Sequence, residues 1–213
     1  PSLIDLTTLG FADVTVDNLP AVQAAIAATN PDGTGVDTPA ELQEIVSAAV
    51  ETVADALDVL SGFDGTNTAP TVQDYIDAGV TDVTEDNLAA VNSALASLPS
   101  GASDSVAELQ EIADAVNGVL AGAAGTAGEP TLTDLEALGI TGVTADNLSA
   151  VQAAIAATNP DGSGVDTVAE LQTLSSNVTD ALDTIADYNG ANTAPTAADY
   201  TAAGITGVTD PGN

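Results

Sequence analysis

The sequence predicts an all-α fold: a tandem array of three-helix bundle modules, each with a short, a medium and a long helix, drawn out into an elongated rod. Three observations predict it. Apolar residues recur at helical spacing, at Leu19, Val22 and Ile26 and again at Leu42, Ile45, Val46, Ala49, Val53, Leu57 and Leu60. Residues 15–45 return as residues 144–174 with 25 of 31 positions identical. A Pro-Ser/Thr-x-x-Asp box opens at Pro1, Pro70, Pro130 and Pro195, at spacings of 69, 60 and 65 residues. These boxes set the boundaries: modules over 1–69, 70–129 and 130–194, then 195–213 as a partial module or a C-terminal cap.

In each box the Ser or Thr is the N-cap of a short helix, and the Asp accepts from orphan backbone amides while facing the positive helix end. That helix stops at Gly10, Gly79, Gly139 and Gly204, the residue type suited to the left-handed C′ conformation. The turns that follow read FADVT, VTDVT, ITGVT and ITGVT. Their first apolar residue closes the turn, and the last Thr is expected to cap the medium helix at Thr15, Thr84 and Thr144. The long helices open on Thr38-Pro39-Ala40-Glu41, Ser105-Val106-Ala107-Glu108 and Thr167-Val168-Ala169-Glu170, all capping boxes, the first with Pro at N1. Their ends are expected at Gly62, at Gly118 or Gly122, and at Gly190. The last box either docks its short helix on the third module or begins a further module of a longer array. With no Met, even at position 1, the sequence reads as a processed chain or a segment of something longer.

The 213 residues carry 32 acidic side chains and no Lys, Arg or His, a formal charge of −32. A chain without cationic side chains has nothing to hold phosphates, which argues against nucleic acid and anionic membrane as partners. Divalent cations and salt are the natural counter-ions. Charged residues make up only 15% and hydrophobic ones 45%, so the composition is that of a folding chain, not of a disordered acidic tail. Much of the apolar content is Ala and the aromatics number five, which points to several thin helical cores. Disulfides and thiolate metal sites are excluded because there is no Cys. No apolar run approaches the roughly 18 residues of a membrane span, and no basic signal-peptide start is present.

The duplicated stretch contains a loop with the spacing of metal chemistry. Asn30, Asp32, Thr34, Gly35, Val36, Thr38 and Glu41 fall at positions 1, 3, 5, 6, 7, 9 and 12 of a twelve-residue loop, the spacing with which an EF-hand wraps calcium. Asn159, Asp161, Ser163, Gly164, Val165, Thr167 and Glu170 repeat it. On the calcium reading the ligands are Asn30, Asp32, Thr34, the Val36 carbonyl and Glu41, with their counterparts Asn159, Asp161, Ser163, Val165 and Glu170. Asp37 and Asp166 stand at position 8, where an EF-hand is aliphatic, and offer a further carboxylate. The competing reading is a plain helix-helix loop with Asp32-Gly33 as a turn and Glu41 as a capping residue. The middle repeat sharpens the comparison: its loop, LPSGASDS, is shorter yet keeps Ser105-x-x-Glu108. The connecting loops FDGTNTAPT and DYNGANTAPT are a rival oxygen-rich site, or Asn/Gly turns before a Pro.

The order of short helix, Gly-Val-Thr-Asp-Val-Thr turn, Asn-Leu helix and Ser-Val-Ala-Glu-Leu-Gln helix, seen best over 79–113, resembles the GA-like three-helix modules repeated in large bacterial surface proteins and adhesins. Some such modules bind serum albumin through the second helix and its flanks. Here those flanks are acidic and Ala-rich, and that binding is not carried over. The resemblance implies an extracellular or cell-surface stalk whose partners are neighbouring modules or other copies end to end.

Tyr75 and Tyr200 replace Leu6 and Leu135 in the short helix and read as core residues. Asn147-Leu148-Ser149 and Asn177-Val178-Thr179 match the glycosylation pattern but fall within predicted helices and read as incidental. Enzymatic readings lack parts, since no His, Lys, Arg or Cys is present to act as base, clamp or thiol nucleophile. A paired-carboxylate glycosidase needs a cleft with aromatic platforms that five scattered rings do not supply.

Overall fold

The computed structural model describes residues 1–29, 33–99, 101–126 and 128–209, and among these every regular element is an α-helix. In chain order they are α1 (Leu3–Thr8), α2 (Leu19–Ala27), α3 (Pro39–Ser61), α4 (Val72–Ala78), α5 (Leu88–Ser97), α6 (Val106–Ala123), α7 (Leu132–Ala137), α8 (Leu148–Ala156), α9 (Val168–Ala186) and α10 (Ala197–Ala202). The residues fall into two compact units, Pro1–Leu88 with Leu98–Ala113, and Ala89–Ser97 with Asp114–Asn213. No described helix is long and apolar enough to cross a membrane.

The short helices form as their boxes dictate. Ser2, Thr71, Thr131 and Thr196 each accept from the backbone N–H of the Asp three residues on, and that Asp accepts from the cap backbone in return. Each helix then closes in a Schellman motif. Phe11, Val80, Ile140 and Ile205 donate their N–H to the carbonyls of Leu6, Tyr75, Leu135 and Tyr200 at 2.8–3.0 Å, and Gly10, Gly79, Gly139 and Gly204 hold φ between 73° and 99°. The bonded pair Phe11–Leu6 is also a core pair: both are buried with Val14, Val22, Val46 and Ala49, and Leu19, Ile26 and Leu42 pack on this cluster.

The medium helices depart from expectation. They begin at Leu19, Leu88 and Leu148, four residues after Thr15, Thr84 and Thr144, which therefore do not cap them. An Asn takes over the turn. The Asn18 side chain makes no cap bond to its helix. Instead its Oδ1 accepts from the Thr15 N–H at 2.8 Å and its Nδ2 donates to the Asp13 carbonyl at 3.0 Å. Asn87 and Asn147 repeat this with Thr84 and Asp82, and with Thr144 and Gly142. A turn with five or so backbone groups outside any helix needs such a bridge, and Asn, with an acceptor and a donor on one plane, provides both ends. Asn147 is thereby engaged as a turn residue and not displayed as a glycan acceptor.

The long helices also depart at their ends. Gly62 is the C-cap of α3 as expected. Gly118 and Gly122 lie inside α6, and Gly190 stands beyond the Asp187 C-cap of α9. The two α6 glycines serve close approach. A Cβ on Gly122 would stand 3.1 Å from Pro130 Cδ and 3.3 Å from Ile155 Cγ2, and one on Gly118 would stand 3.5 Å from Pro130 Cα. The box that begins the next repeat thus lies directly on the long helix before it. Likewise α4 packs on α3 and α10 packs on α9. Tyr75, fully buried in α4, fills the position that Leu6 and Leu135 fill elsewhere.

Candidate metal loops and their acidic caps

The second Asp/Gly loop is described throughout. Two backbone turns shape it, with the Gly162 N–H on the Asn159 carbonyl at 2.9 Å and the Val165 N–H on the Gly162 carbonyl at 3.0 Å. Gly162 and Gly164 take φ of 81° and 99°, which the side chain of any other residue would strain. Asp161 Oδ1 accepts from the Ser163 N–H at 3.0 Å and from Ser163 Oγ at 2.7 Å, and Asn159 Nδ2 donates to the same Oγ at 2.9 Å. The Ser163 hydroxyl, then its N–H, holds the Asp161 carboxyl below its usual range. Asn159, Asp161 and Ser163 are therefore together, bonded to one another. Val165 is buried by its side chain.

In the first loop Asn30 and Asp32 lie outside the described residues. Val36 donates its N–H to the Gly33 carbonyl at 3.2 Å, as Val165 does to Gly162, and Gly35 matches Gly164 with φ of 97°. Thr34 is exposed on this loop.

At the end of each loop Glu41 and Glu170 belong to the helix caps. Thr38 donates its N–H and hydroxyl to Glu41 Oε2 at 3.1 and 2.8 Å, and Thr167 donates its hydroxyl to Glu170 Oε2 at 2.7 Å. Ser105 and Glu108 do the same in the middle repeat, at 3.1 and 2.8 Å. A feature missed in the sequence joins them. The Asp just before each cap, Asp37, Asp104 or Asp166, hydrogen-bonds the capping Glu, which raises the Asp above its ordinary value, with like-charge repulsion from the same Glu adding to the rise. The Glu is lowered, first by the cap hydroxyl and then by the Asp. Within each pair the arrangement favours a proton on the Asp over one on the Glu. The sequence signal was available, since Asp-Ser/Thr-x-Ala-Glu occurs at all three long helices. Asp166 also feels the charge of Asp161. Among the described residues no three Asp or Glu side chains form a metal-ligating group.

The connecting loops use their oxygens in the same inward way. Asp64 Oδ1 accepts from the Thr66 N–H and hydroxyl at 2.8 and 2.7 Å, which lowers its pKa. Asn67 bridges the Asp64 N–H and the Gly62 carbonyl, and Asn192 bridges the Asn189 N–H and the Asp187 carbonyl. These are the bridges of Asn18, Asn87 and Asn147 at a second kind of turn.

A long-range clamp was also missed. Gln172 of α9 accepts from the Thr141 N–H at 2.9 Å and donates to the Thr141 carbonyl at 3.2 Å. Gln110 of α6 grips Thr81 likewise. In the first repeat Ala12 replaces the Thr, Gln43 turns to Ser47 Oγ at 2.9 Å, and a hollow of about 280 Å³ lies between Gln43 and the turn at Phe11 and Asp13.

No family model matches the sequence, and no curated protein or solved structure matches it.

Proposed function

We propose that the chain is a structural repeat segment of a secreted or surface-anchored bacterial protein, an adhesin stalk or fibre subunit built from tandem three-helix modules, and not an enzyme. One observation carries this reading: the Ser, Thr, Asn, Asp and Glu side chains at the helix caps and turns are spent on the backbone. The same cap and the same Asn bridge recur from repeat to repeat, the Gln clamp recurs in two of them, and each satisfies main-chain groups that would otherwise be orphaned. A chain selected for reach needs stackable helical units and little else. Divalent cations enter as counter-ions to the −32 charge.

A second reading is a calcium-binding helix-loop-helix module that docks to a protein partner. It is favoured by the placement of Asp161, Asp166 and Glu170 on one loop and its helix cap, where the charge of Asp161 reaches Asp166. Circular dichroism of the chain in chelator and then in millimolar calcium separates the two. The structural reading expects full helicity in chelator and a Tm that rises with NaCl and more steeply with CaCl₂. Loss of most helicity in chelator overturns it in favour of the second.

A further inference from the structure

Asn-Gly occurs twice in the sequence, at 117–118 and 189–190. In this dipeptide a backbone nitrogen can attack the side chain before it with little obstruction, because glycine has no Cβ to shield that nitrogen. The two copies sit in opposite surroundings. Asn117 and Gly118 are half-buried inside α6, where the helix gives each N–H to the carbonyl four residues back. Asn189 and Gly190 are exposed in the loop between α9 and α10.

That loop favours the attack at each atom involved. The Gly190 N–H has no acceptor among the described residues. A Cβ placed on Gly190 would meet nothing within 4 Å, so water and base have open access to the nitrogen. The Ala191 N–H donates to Asn189 Oδ1 at 2.9 Å. That bond polarises the amide carbonyl and stands where negative charge develops when its carbon is attacked. Asn189 Nδ2, the leaving group, is held by no hydrogen bond among the described residues. The Asp-Gly turns at 64–65 and 161–162 each lack a part. Gly162 gives its N–H to the Asn159 carbonyl at 2.9 Å. Asp64 Oδ1 is held by Thr66 as Asn189 Oδ1 is held by Ala191, but those bonds keep the Asp64 carboxyl below its usual range. An ionised carboxylate offers neither an electrophilic carbon nor a neutral leaving group.

We infer that Asn189 is a site of spontaneous covalent modification, its side-chain amide being lost by cyclisation onto Gly190. Hydroxide takes the Gly190 N–H proton, and the nitrogen attacks Asn189 Cγ. The N–Cγ bond forms, the Cγ–Nδ2 bond breaks, and Nδ2 takes a proton from water and leaves as ammonia, which restores the hydroxide. Water then opens the five-membered imide. Cleavage of the new N–Cγ bond gives aspartate at 189, whereas cleavage of the original peptide bond leaves the chain running through Cγ as isoaspartate. One water is consumed, one ammonia is released, and nothing is oxidised or reduced. Both products add a negative charge to a chain already at −32. The aspartate copies the sister loop, where Asp64 stands in the same turn. The isoaspartate adds a backbone atom inside the turn that Asn192 spans, from the Asn189 N–H to the Asp187 carbonyl, and so loosens the loop before the Thr196 box. Loss of ammonia makes the step one-way, a timer on one connecting loop and not on the other. The inference goes beyond both readings of function and depends on neither.

The test is to incubate the full chain in mildly alkaline buffer made with heavy-oxygen water, cleave it with a Glu-specific protease and weigh the peptides. No Glu follows Glu170, and Glu111 and Glu136 bracket Asn117, with the Glu129–Pro130 bond resistant, so the two sites fall in separate peptides, 112–136 and 171–213. In the folded chain 171–213 should exchange a nitrogen for a heavy oxygen, located to Asn189 by fragmentation. It should do so at least about tenfold faster than 112–136, because α6 must open before Gly118 can attack. In urea the two sites should react at similar rates, and the rate at Asn189 should rise with pH. Asn189→Gln, whose longer side chain closes to a less favourable ring, should abolish the change in 171–213. The inference is overturned if 171–213 stays unchanged in the folded chain, if the two sites react alike there, or if the change persists undiminished in Asn189→Gln.

Discussion

Gln172 grips Thr141 across 31 residues of sequence, taking its N–H at 2.9 Å and giving to its carbonyl at 3.2 Å. Both bonds tie the turn after α7 to the first turns of α9. Gln172→Ala and Gln110→Ala should each lower stability by about 1–2 kcal/mol, the net worth of two modest hydrogen bonds. Gln43→Ala is the internal control, since Gln43 faces Ser47 instead, and should change stability by no more than about 0.5 kcal/mol. Urea unfolding of the three variants decides it; equal losses at Gln43 and Gln172 would remove the clamp from the account.

The Asn bridges make a sharper demand. Asn18 and Asn87 are buried, and Asn→Ala at either leaves a backbone N–H and a carbonyl without partners, at about 1–3 kcal/mol. Asn87→Asp keeps the acceptor but loses the donor to the Asp82 carbonyl. Its loss should therefore be large at neutral pH and shrink in acid, where the carboxyl regains a proton to donate. A pH-independent loss would show that charge and donation play no part there.

Two glycines four residues apart should answer oppositely to the same change. Gly122→Ala gains helix propensity of about 1 kcal/mol but drives a methyl against Pro130 and Ile155, an overpacking that costs about 1–3 kcal/mol, so a net loss is expected. Gly118→Ala meets only ordinary contacts near 3.5 Å and should be neutral or slightly stabilising. Thermal unfolding of both variants measures the difference, and a stabilised Gly122→Ala would mean the Pro130 contact is slack.

The carboxyl pairs predict a stability maximum in mild acid. Asp37, Asp104 and Asp166 are raised above 3.8, so their contribution is complete below the unfolded value and disappears as pH rises through the folded one. Glu41, Glu108 and Glu170 are lowered from 4.5, and Asp5, Asp64, Asp161 and Asp199 from 3.8. Their contribution is complete above the unfolded values and is lost as pH falls through the folded ones. Near pH 4, roughly, both sets act together: the Asp donates while the Glu still caps. Tm should climb as pH falls from 7 towards that point, then drop. Asp104→Asn supplies a permanent donor to Glu108, so it should raise Tm at pH 7 and flatten the climb; a lowered Tm at pH 7 would refute a stabilising Asp104–Glu108 hydrogen bond.

The sequence made the short helices legible to the last residue because everything that defines them is local. A Ser or Thr, an Asp three residues later and a Gly at the stop specify cap, first turn and Schellman closure without reference to the rest of the chain. The glycines of α6 were misread for the opposite reason. Gly118 and Gly122 are selected by Pro130 and Ile155, and no local pattern distinguishes a glycine that ends a helix from one that admits a neighbour. Thr15 looked like a cap because Thr caps helices, but the Asn three residues on competes for the same turn and reaches two backbone groups to its one. In the candidate loops the oxygen spacing reads as metal chemistry. What spacing could not disclose is that Asp161 is bound by Ser163, and Glu41 and Glu170 by their own caps.

Because Pro130 and its short helix lie on α6, and α4 and α10 lie likewise on the long helices before them, each repeat is finished by material encoded in the next. That gives the gene an unusual freedom. An unequal crossover that inserts or removes one repeat length restores the same succession of contacts wherever the break falls, whether in a turn or midway along a long helix, because the pattern has no privileged starting point. Length can then change by whole repeats without leaving a long helix uncovered, and residues 15–45 and 144–174, identical at 25 of 31 positions, are two copies of one such unit.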